Sequence, residues 1–254
     1  MELTTQSAAN IMRRPSKHAI TQMQALLVAW FASKGRPFPW RKRTATVYER
    51  IVSEVLLQRT RAEVVAKCFP RFMRRYPSWK KLAKAAEVDL RGWLQPLGLW
   101  RRRASSLVKL AQAMAAKNGR FPRSRVDIEL LPAVGQYVCN AVMLFANRHA
   151  EPLLDVNMAR VLERCFGPRR LADIRYDPQL QKAARLMVSG PRAIELNWAI
   201  LDLAAMVCTQ KLPRCPECPI RRHCDFYQEA RRRTSNKPFG SVARARKMFR
   251  MEPQ

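Results

Sequence analysis

Four cysteines near the end of the sequence have a spacing that could bind an inorganic centre. Cys208, Cys215, Cys218 and Cys224 form the pattern C-x6-C-x2-C-x5-C. Four thiolates can hold a zinc ion or a [4Fe-4S] cluster, and the pattern lacks the paired C-x2-C knuckles that favour zinc. Basic residues are interleaved with the cysteines, so a centre here would rigidify a positively charged loop suited to phosphate groups.

A carboxylate and a helix N-terminus are the next chemical features. In LLDVNMARVLERCFG, Asp155 or Asn157 can cap a helix that stops at Gly167. In LLPAVGQYVCNAV, a Pro-x-x-Gly turn precedes a helix whose first N–H groups can bind an anion such as a phosphate. Each pattern also has a plain structural interpretation, as a helix cap and as a turn between packed helices.

The charge of the chain narrows the class of partner. Its 48 Lys and Arg residues against 19 Asp and Glu residues give a formal net charge of +29, which indicates a polyanionic partner. Nucleic acid is favoured over a basic surface that only aids solubility or attracts anionic membrane, because solubility alone would not call for an excess of this size. No apolar run approaches the roughly 20 residues of a membrane span. No secretory leader is evident, so we expect a cytoplasmic, nucleoid-associated protein. Its seven cysteines then favour metal ligation over disulfides.

The elements that must position these residues are predicted to be helices. The chain has only 8 glycines, and no apolar and polar alternation persists. A first helix has apolar residues at helical spacing and ends before Gly35, and a second has a stripe with Glu54 at its margin. A short helix capped by Ser124 and Asp127, a break at 132–135 and a helix from about 136 to 146 form a helix-hairpin-helix unit. The apolar residues are Ile20, Met23, Leu26, Leu27, Trp30 and Phe31 in the first helix, and Val47, Ile51, Val52, Val55 and Leu56 in the second.

Four stretches in this order resemble one known family. FPWRKRTATVYERIVSEVLLQRT, LPAVGQYVCNAV, LLDVNMARVLERCFG and the four-cysteine loop are similar to the helix-hairpin-helix DNA glycosylases of the endonuclease III and MutY superfamily, over about residues 38–227. The resemblance implies an all-α fold of two lobes, a six-helix barrel and a helical lobe that holds a [4Fe-4S] cluster. It implies a cluster domain of 18–45 with 152–228 and a barrel of 46–151 with the hairpin at 124–147. The ends, 1–17 and the basic tail 229–254, are polar or basic without periodicity, so we expect them to be flexible.

The resemblance also implies roles for individual residues. Asp155 matches the essential aspartate, which stabilises positive charge on the sugar and helps to activate water, and Asn157 supports it or a phosphate. Glu54 matches a pocket glutamate that contacts the flipped base, although its local pattern is that of a solvated helix face. Gln58 and Arg59 lie where side chains enter the duplex. Val134, Gly135 and Gln136 belong to the phosphate-binding hairpin, and the four cysteines ligate the cluster.

Tyr137 and the flanking sequences narrow the reaction. The bifunctional relatives carry a nucleophilic lysine at the position of Tyr137, so this tyrosine implies a monofunctional glycosylase, although it could be a core residue. Only 30 residues follow Cys224, and LGLWRRRAS replaces a Gly-Tyr-Tyr stretch of the adenine enzymes. The resemblance is therefore closest to the mismatch thymine glycosylases. Ala133 replaces the glycine usual in the hairpin, and alanine tolerates positive φ poorly.

These features predict a monomeric enzyme that excises thymine or uracil opposite guanine from double-stranded DNA. Adenine opposite 8-oxoguanine or guanine and damaged pyrimidines are the alternative targets, because pocket selectivity depends on shapes that no local motif encodes. From other classes, a catalytically silent DNA-binding module and a zinc-stabilised nucleic-acid adaptor remain alternatives. Retention of Asp155, Glu54 and Asn157 together argues against the silent module.

Overall fold

A computed structural model describes residues 12–13 and 15–235, and within this part of the chain all regular elements are helical. The all-α prediction is therefore confirmed. No helix in these residues is long and apolar enough to cross a membrane. The α-helices are α1 (Lys17–Lys34), α2 (Val47–Leu57), α3 (Ala62–Arg75), α4 (Trp79–Ala83), α5 (Glu87–Leu94), α6 (Trp100–Ala116), α7 (Arg125–Glu129), α8 (Gln136–Phe145), α9 (Val156–Phe166), α10 (Pro178–Met187), α11 (Ala193–Met206) and α12 (Asp225–Ser235).

The chain forms two compact units, of which unit 1 comprises residues 1–35 and 152–254 and unit 2 comprises residues 36–151. The boundary at 35 differs from the expected one at 45. Residues 36–45 lie in unit 2 because the Trp40 ring packs edge-on against Phe69, with ring centroids 5.3 Å apart.

Unit 1 contains α1 and α9 to α12. Its core joins α1 to the later helices, with α1 packed on α10 and α11, and α9 packed on α10, α11 and α12. In α1 the buried face differs by one position from the predicted stripe, because Leu26 is 40% exposed whereas Val28 is buried. The side chains at the centre of this core are Met23, Leu27, Met158, Leu162, Leu180, Met187, Ile200 and Leu203.

Two segments expected to be flexible are partly ordered in unit 1. Met12 is buried in the core, and the guanidinium of Arg13 donates two hydrogen bonds to the carboxylate of Asp225, at 2.6 and 2.8 Å. Helix α12 extends to Ser235, past the expected start of the tail at 229. Residues 1–11, 14 and 236–254 lie outside the described part of the chain, so the remaining expectations for the two ends concern residues that the structure does not describe.

Unit 2 contains α2 to α8. Helix α2 packs against α3, α6 and α8, while α6 packs against α4 and α5. Its aromatic side chains form edge-to-face pairs, such as Tyr48 with Trp79, whose ring centroids are 4.8 Å apart. The helices α7 and α8 with the turn between them form the expected helix-hairpin-helix unit, and the Ser124 hydroxyl caps α7 by accepting from the N–H of Asp127 at 3.1 Å.

Candidate active site and DNA-contacting segments

Asp155 is the N-cap of α9, as one interpretation of its local sequence predicts. One carboxylate oxygen, Oδ1, accepts from the backbone N–H groups of Asn157 and Met158 at 2.9 and 2.8 Å. The other oxygen, Oδ2, accepts from the Asn157 side-chain amide at 2.7 Å. The carboxylate is partly exposed, and these donors and the positive end of the helix dipole fix its orientation. Capping is therefore compatible with a catalytic role for the same side chain.

A chain of hydrogen bonds along α9 joins this aspartate to the first of the four cysteines. Asn157 accepts from Nη1 of Arg160 at 3.1 Å, and Nε of Arg160 donates to the backbone carbonyl of Cys208 at 3.0 Å. One turn further, Nη1 of Arg164 donates to the Cys208 sulfur at 3.2 Å and to the Thr209 carbonyl at 2.7 Å. The spacing 157, 160 and 164 places these side chains on one face of the helix. The cysteine loop and Asp155 therefore share one supporting helix face.

Asn197 is a buried residue near this site that the sequence analysis missed. Its side-chain carbonyl accepts from the backbone N–H of Leu153 at 2.6 Å, and its amide donates to the Ala193 carbonyl at 2.9 Å. The bond anchors the extended segment that leads into Asp155 to helix α11. A single amide within the apolar helix IELNWAILDLAAM is the sequence signal that could have identified it, because a buried amide needs partners.

The four cysteines line one small cavity of unit 1. Cys208, Cys215, Cys218 and Cys224 surround it together with apolar and basic side chains, which are those of Val207, Pro213, Phe226, Tyr227, Arg164 and Arg221. All four sulfurs are free of disulfide bonds. Burial raises the pKa of the Cys215 thiol to about 11 and that of Cys218 to about 12. Among the described residues no group of three or more His, Cys, Asp or Glu side chains has an arrangement that could hold a metal ion.

In unit 2, Glu54 and Tyr137 form one hydrogen-bonded pair. Glu54 on α2 is only 3% exposed, so it is buried rather than at the margin of the helix, and the solvated helix-face interpretation is wrong. The Tyr137 hydroxyl, on the first turn of α8, donates to Oε2 of Glu54 at 2.8 Å. Helices α2 and α8 pack against each other, which holds this pair together. Tyr137 is partly exposed and therefore not a fully buried core tyrosine.

Gln58 and Arg59 follow directly on the helix that carries Glu54. Both are exposed, and Arg59 has a φ of 56°, in the left-handed region. A buried arginine of α6, Arg103, donates to the Gln58 carbonyl and, at 3.1 Å, to the Thr60 hydroxyl. Arg103 gives no signal of this burial in the sequence, because the run RRR at 101–103 has the composition of an exposed surface.

The hairpin presents a helix N-terminus without a side-chain cap. Gly135 is the N-cap of α8 and, as a glycine, makes no side-chain cap hydrogen bond. Gly135 is exposed and Gln136 partly exposed, whereas Val134 is buried and anchors the turn. Ala133 has a φ of 61°, so the hairpin keeps the left-handed residue despite the missing glycine, at a cost of about 1–2 kcal/mol.

Comparisons with known proteins agree with this arrangement. Residues 52–186 match the family model of the HhH-GPD superfamily base excision DNA repair proteins. The chain is 38% identical to a thymine-DNA glycosylase of Aeropyrum pernix over 83% of this chain and 96% of the relative. It is 37% identical to a thymine/uracil-DNA glycosylase of Pyrobaculum aerophilum over 84% of this chain and 94% of the relative. The solved structure of a thermostable thymine-DNA glycosylase superimposes with a TM-score of 0.73 at 27% identity, covering 84% of this chain and 98% of that one.

Proposed function

Since the chain belongs to the HhH-GPD superfamily of base excision DNA repair proteins and is a DNA glycosylase, we propose that it excises thymine or uracil opposite guanine and leaves an uncut abasic site. Its similarity to thymine and uracil glycosylases over 94% or more of their length supports this substrate class. The LGLWRRRAS segment, which stands where the adenine enzymes carry a Gly-Tyr-Tyr stretch, supports it as well.

The carboxylate of Asp155 is the observation that carries the mechanism. As the bond between C1′ of the sugar and N1 of the base breaks, its electron pair leaves with the base and positive charge develops on the sugar. A carboxylate already fixed by three N–H donors opposes that charge without reorganising. Water then adds to C1′ and gives a proton to Asp155, and a proton passes to N1 of the departing base, so that the carboxylate is regenerated. The products are a free base and a sugar that carries a hydroxyl group.

The Glu54 and Tyr137 pair is proposed to contact the flipped base. Glu54 is the acceptor in the hydrogen bond from the Tyr137 hydroxyl, so the pair offers a fixed set of polar groups to the edge of a pyrimidine. A phenol cannot form the imine that a lysine forms with the sugar, and the enzyme therefore hydrolyses the N-glycosidic bond without cutting the strand.

The duplex is proposed to bind along the exposed hairpin and the positively charged surface. The first turn of α8, which begins after the exposed Gly135, presents backbone N–H groups and the positive end of the helix dipole, and these suit a DNA phosphate. Extrusion of the base leaves a gap in the stack of base pairs. Gln58 and Arg59 are exposed on a turn, and we propose that their side chains fill this gap. We propose that one copy of the chain, as a monomer, binds one lesion.

The residues of the cysteine cavity fit a [4Fe-4S] cluster, which we propose as a structural cofactor. Four free thiols line one cavity, and the Arg164 guanidinium donates a hydrogen bond to the Cys208 sulfur at 3.2 Å. A cluster there would link the ends of a loop that continues into α12, and it would support the face of α9 that carries Asn157. Purified protein should be brown and contain about four irons per chain. Colourless protein with stoichiometric zinc would contradict this cofactor.

Single-turnover excision on a panel of duplexes tests the substrate proposal. The panel carries T:G, U:G, A:8-oxoguanine, A:G and oxidised pyrimidines, with strand breaks measured before and after alkali. We expect T:G and U:G to react fastest and to break only after alkali, because a mispaired base costs less to extrude. Faster release of adenine or of an oxidised pyrimidine would move the chain to another branch of the superfamily.

A further inference from the structure

Two turns of unit 2 with left-handed backbone lie on either side of one buried guanidinium. In the 58–60 turn, Arg59 has a φ of 56°, and in the 97–99 turn, Gly98 and Leu99 have φ values of 70° and 48°. Residues other than glycine pay about 1–2 kcal/mol for this conformation. The surrounding structure must therefore hold both turns in place.

Arg103 supplies contacts to both turns. On one side it donates from Nη1 to the carbonyls of Leu97 and Gly98, at 3.0 and 2.9 Å. On the other side it donates from Nη2 to the carbonyl of Gln58 and to the hydroxyl of Thr60. The Thr60 hydroxyl in turn donates to the Leu97 carbonyl at 2.8 Å, which links the two turns directly.

The charge of Arg103 has an unusual environment for a buried cation. The residue is 5% exposed, and its hydrogen-bond partners are neutral oxygens rather than carboxylates. Burial lowers the pKa of its guanidinium. Burying a cation costs desolvation free energy, and neutral oxygens repay it less than a carboxylate would. A lysine in this place could not span acceptors in two directions, as the planar guanidinium does. The neighbouring Arg101 and Arg102 are exposed and have no part in these contacts.

We propose that Arg103 is a positioning residue for DNA, because it holds the 58–60 turn in the conformation that displays Gln58 and Arg59. This inference rests on the proposed function, in which those two side chains fill the gap that the extruded base leaves. The guanidinium touches neither the DNA nor the base. It acts by fixing the backbone carbonyl of Gln58. The Gln58 and Arg59 side chains, here called the plug, are thereby held on an ordered turn before the duplex binds, and binding then loses no conformational entropy in ordering that turn.

The test measures how strongly the protein prefers a gapped stack over an intact one. The preference is the ratio of the Kd for an intact duplex to the Kd for the same duplex with a tetrahydrofuran abasic-site analogue opposite guanine. Arg103→Met should lower this ratio about tenfold, as loss of a preorganised plug would. Thr60→Val should lower it by a smaller factor while leaving the fold intact, and Arg103→Lys provides a second variant if the methionine variant unfolds.

Two control variants and one combination separate positioning from stability. Arg102→Met removes the same charge from the exposed neighbour and should leave the ratio unchanged. Tyr48→Phe removes another buried bond to a backbone carbonyl of unit 2, from the Tyr48 hydroxyl to Tyr76 at 2.6 Å, and should lower only the melting temperature. Adding Arg103→Met to a Gln58→Ala, Arg59→Ala variant should cause no further loss, because the plug is already absent.

Three results would overturn the proposal. They are an unchanged ratio in Arg103→Met with only a lower melting temperature, a full further loss when it is added to the Gln58 and Arg59 variant, and a wild-type ratio near one. The proposed function fails separately, through the absence of base release by the wild-type protein from any duplex of the panel. The binding ratio does not depend on excision, so it decides the role of Arg103 in either case.

Discussion

Replacing Asp155 by asparagine should separate chemistry from folding. Asparagine caps a helix about as well as aspartate, so the bonds from the Asn157 and Met158 N–H groups can persist and the melting temperature should change little. The substitution removes a full charge from beside the developing cation. Loss of one preorganised electrostatic contact costs about 3–4 kcal/mol in the transition state, and we expect a rate loss of about 10²–10³-fold or more.

Asp177 offers a matched control, because it is a second N-cap aspartate of unit 1. Its carboxylate accepts from the N–H groups of Arg170, Leu171 and Leu180 at 2.7 to 2.9 Å and is fully buried. Asp177→Asn should destabilise the protein by about 1–3 kcal/mol and leave excision intact below the melting temperature.

The assay is single-turnover excision of thymine from a T:G duplex, with thermal melts and DNA affinity measured on the same preparations. Duplex binding by Asp155→Asn should persist. A catalytic role for Asp155 is refuted if Asp155→Asn excises within about threefold of the wild-type rate, which is a difference of less than about 1 kcal/mol in activation free energy. It is also refuted if Asp177→Asn loses as much activity as Asp155→Asn while still folded.

The remaining predictions concern the linkage to the sugar, the cysteines, pH and salt. Borohydride should trap little covalent complex with wild-type protein, since Tyr137 cannot form an imine; efficient trapping on gels would show that a lysine attacks the sugar. Cys215→Ser and Cys218→Ser should lose iron, colour and thermal stability, whereas Cys68→Ser, at a free thiol of unit 2, should retain all three in metal analysis and melts. Burial opposes ionisation of Asp177, but the backbone N–H donors outweigh burial and lower the pKa of its carboxyl. The ionised carboxyl therefore stabilises the folded protein above the ordinary aspartate pKa near 3.8, and this stabilisation is lost as the pH falls through the lowered pKa. Melting temperatures between about pH 2 and 5 should therefore decline less in Asp177→Asn than in the wild type. Duplex affinity should fall with salt at a log–log slope of about −0.9 per neutralised phosphate, and deletion of residues 236–254, which contain five Lys and Arg, should make titrations less steep without changing the excision rate.

Features set by neighbours in the sequence were predictable. The cap at Asp155 and the helix end at Gly167 depend on bonds that span a few residues, and both are found where the sequence places them. The same is true of Ser124 and of the hairpin between α7 and α8. The roles of Asp155, Asn157, Glu54, the hairpin residues and the cysteines remain predictions.

Features set by packing at long range were not predictable. Helical periodicity places Glu54 at the edge of an apolar stripe, whereas its burial depends on the packing of α8, whose Tyr137 is 83 residues later in the chain. Periodicity likewise predicts that Leu26 rather than Val28 belongs to the buried face of α1. The buried face is instead decided by packing against α10 and α11. Arg103 lies in a run of three arginines that is typical of an exposed surface. Its burial depends on the two turns that it binds, of which the 58–60 turn is distant in the sequence.

The division of the chain between the two units has a consequence for folding during synthesis. Unit 2 is a continuous stretch, 36–151, and its core can close as soon as that stretch leaves the ribosome. Unit 1 begins with α1, but the partners of Met23 and Leu27 lie in helices that are synthesised after residue 152. The apolar face of α1 therefore stays without its native partners while more than a hundred further residues are synthesised. Mutations that slow the closure of unit 1 should therefore lower the yield of protein before they lower its activity.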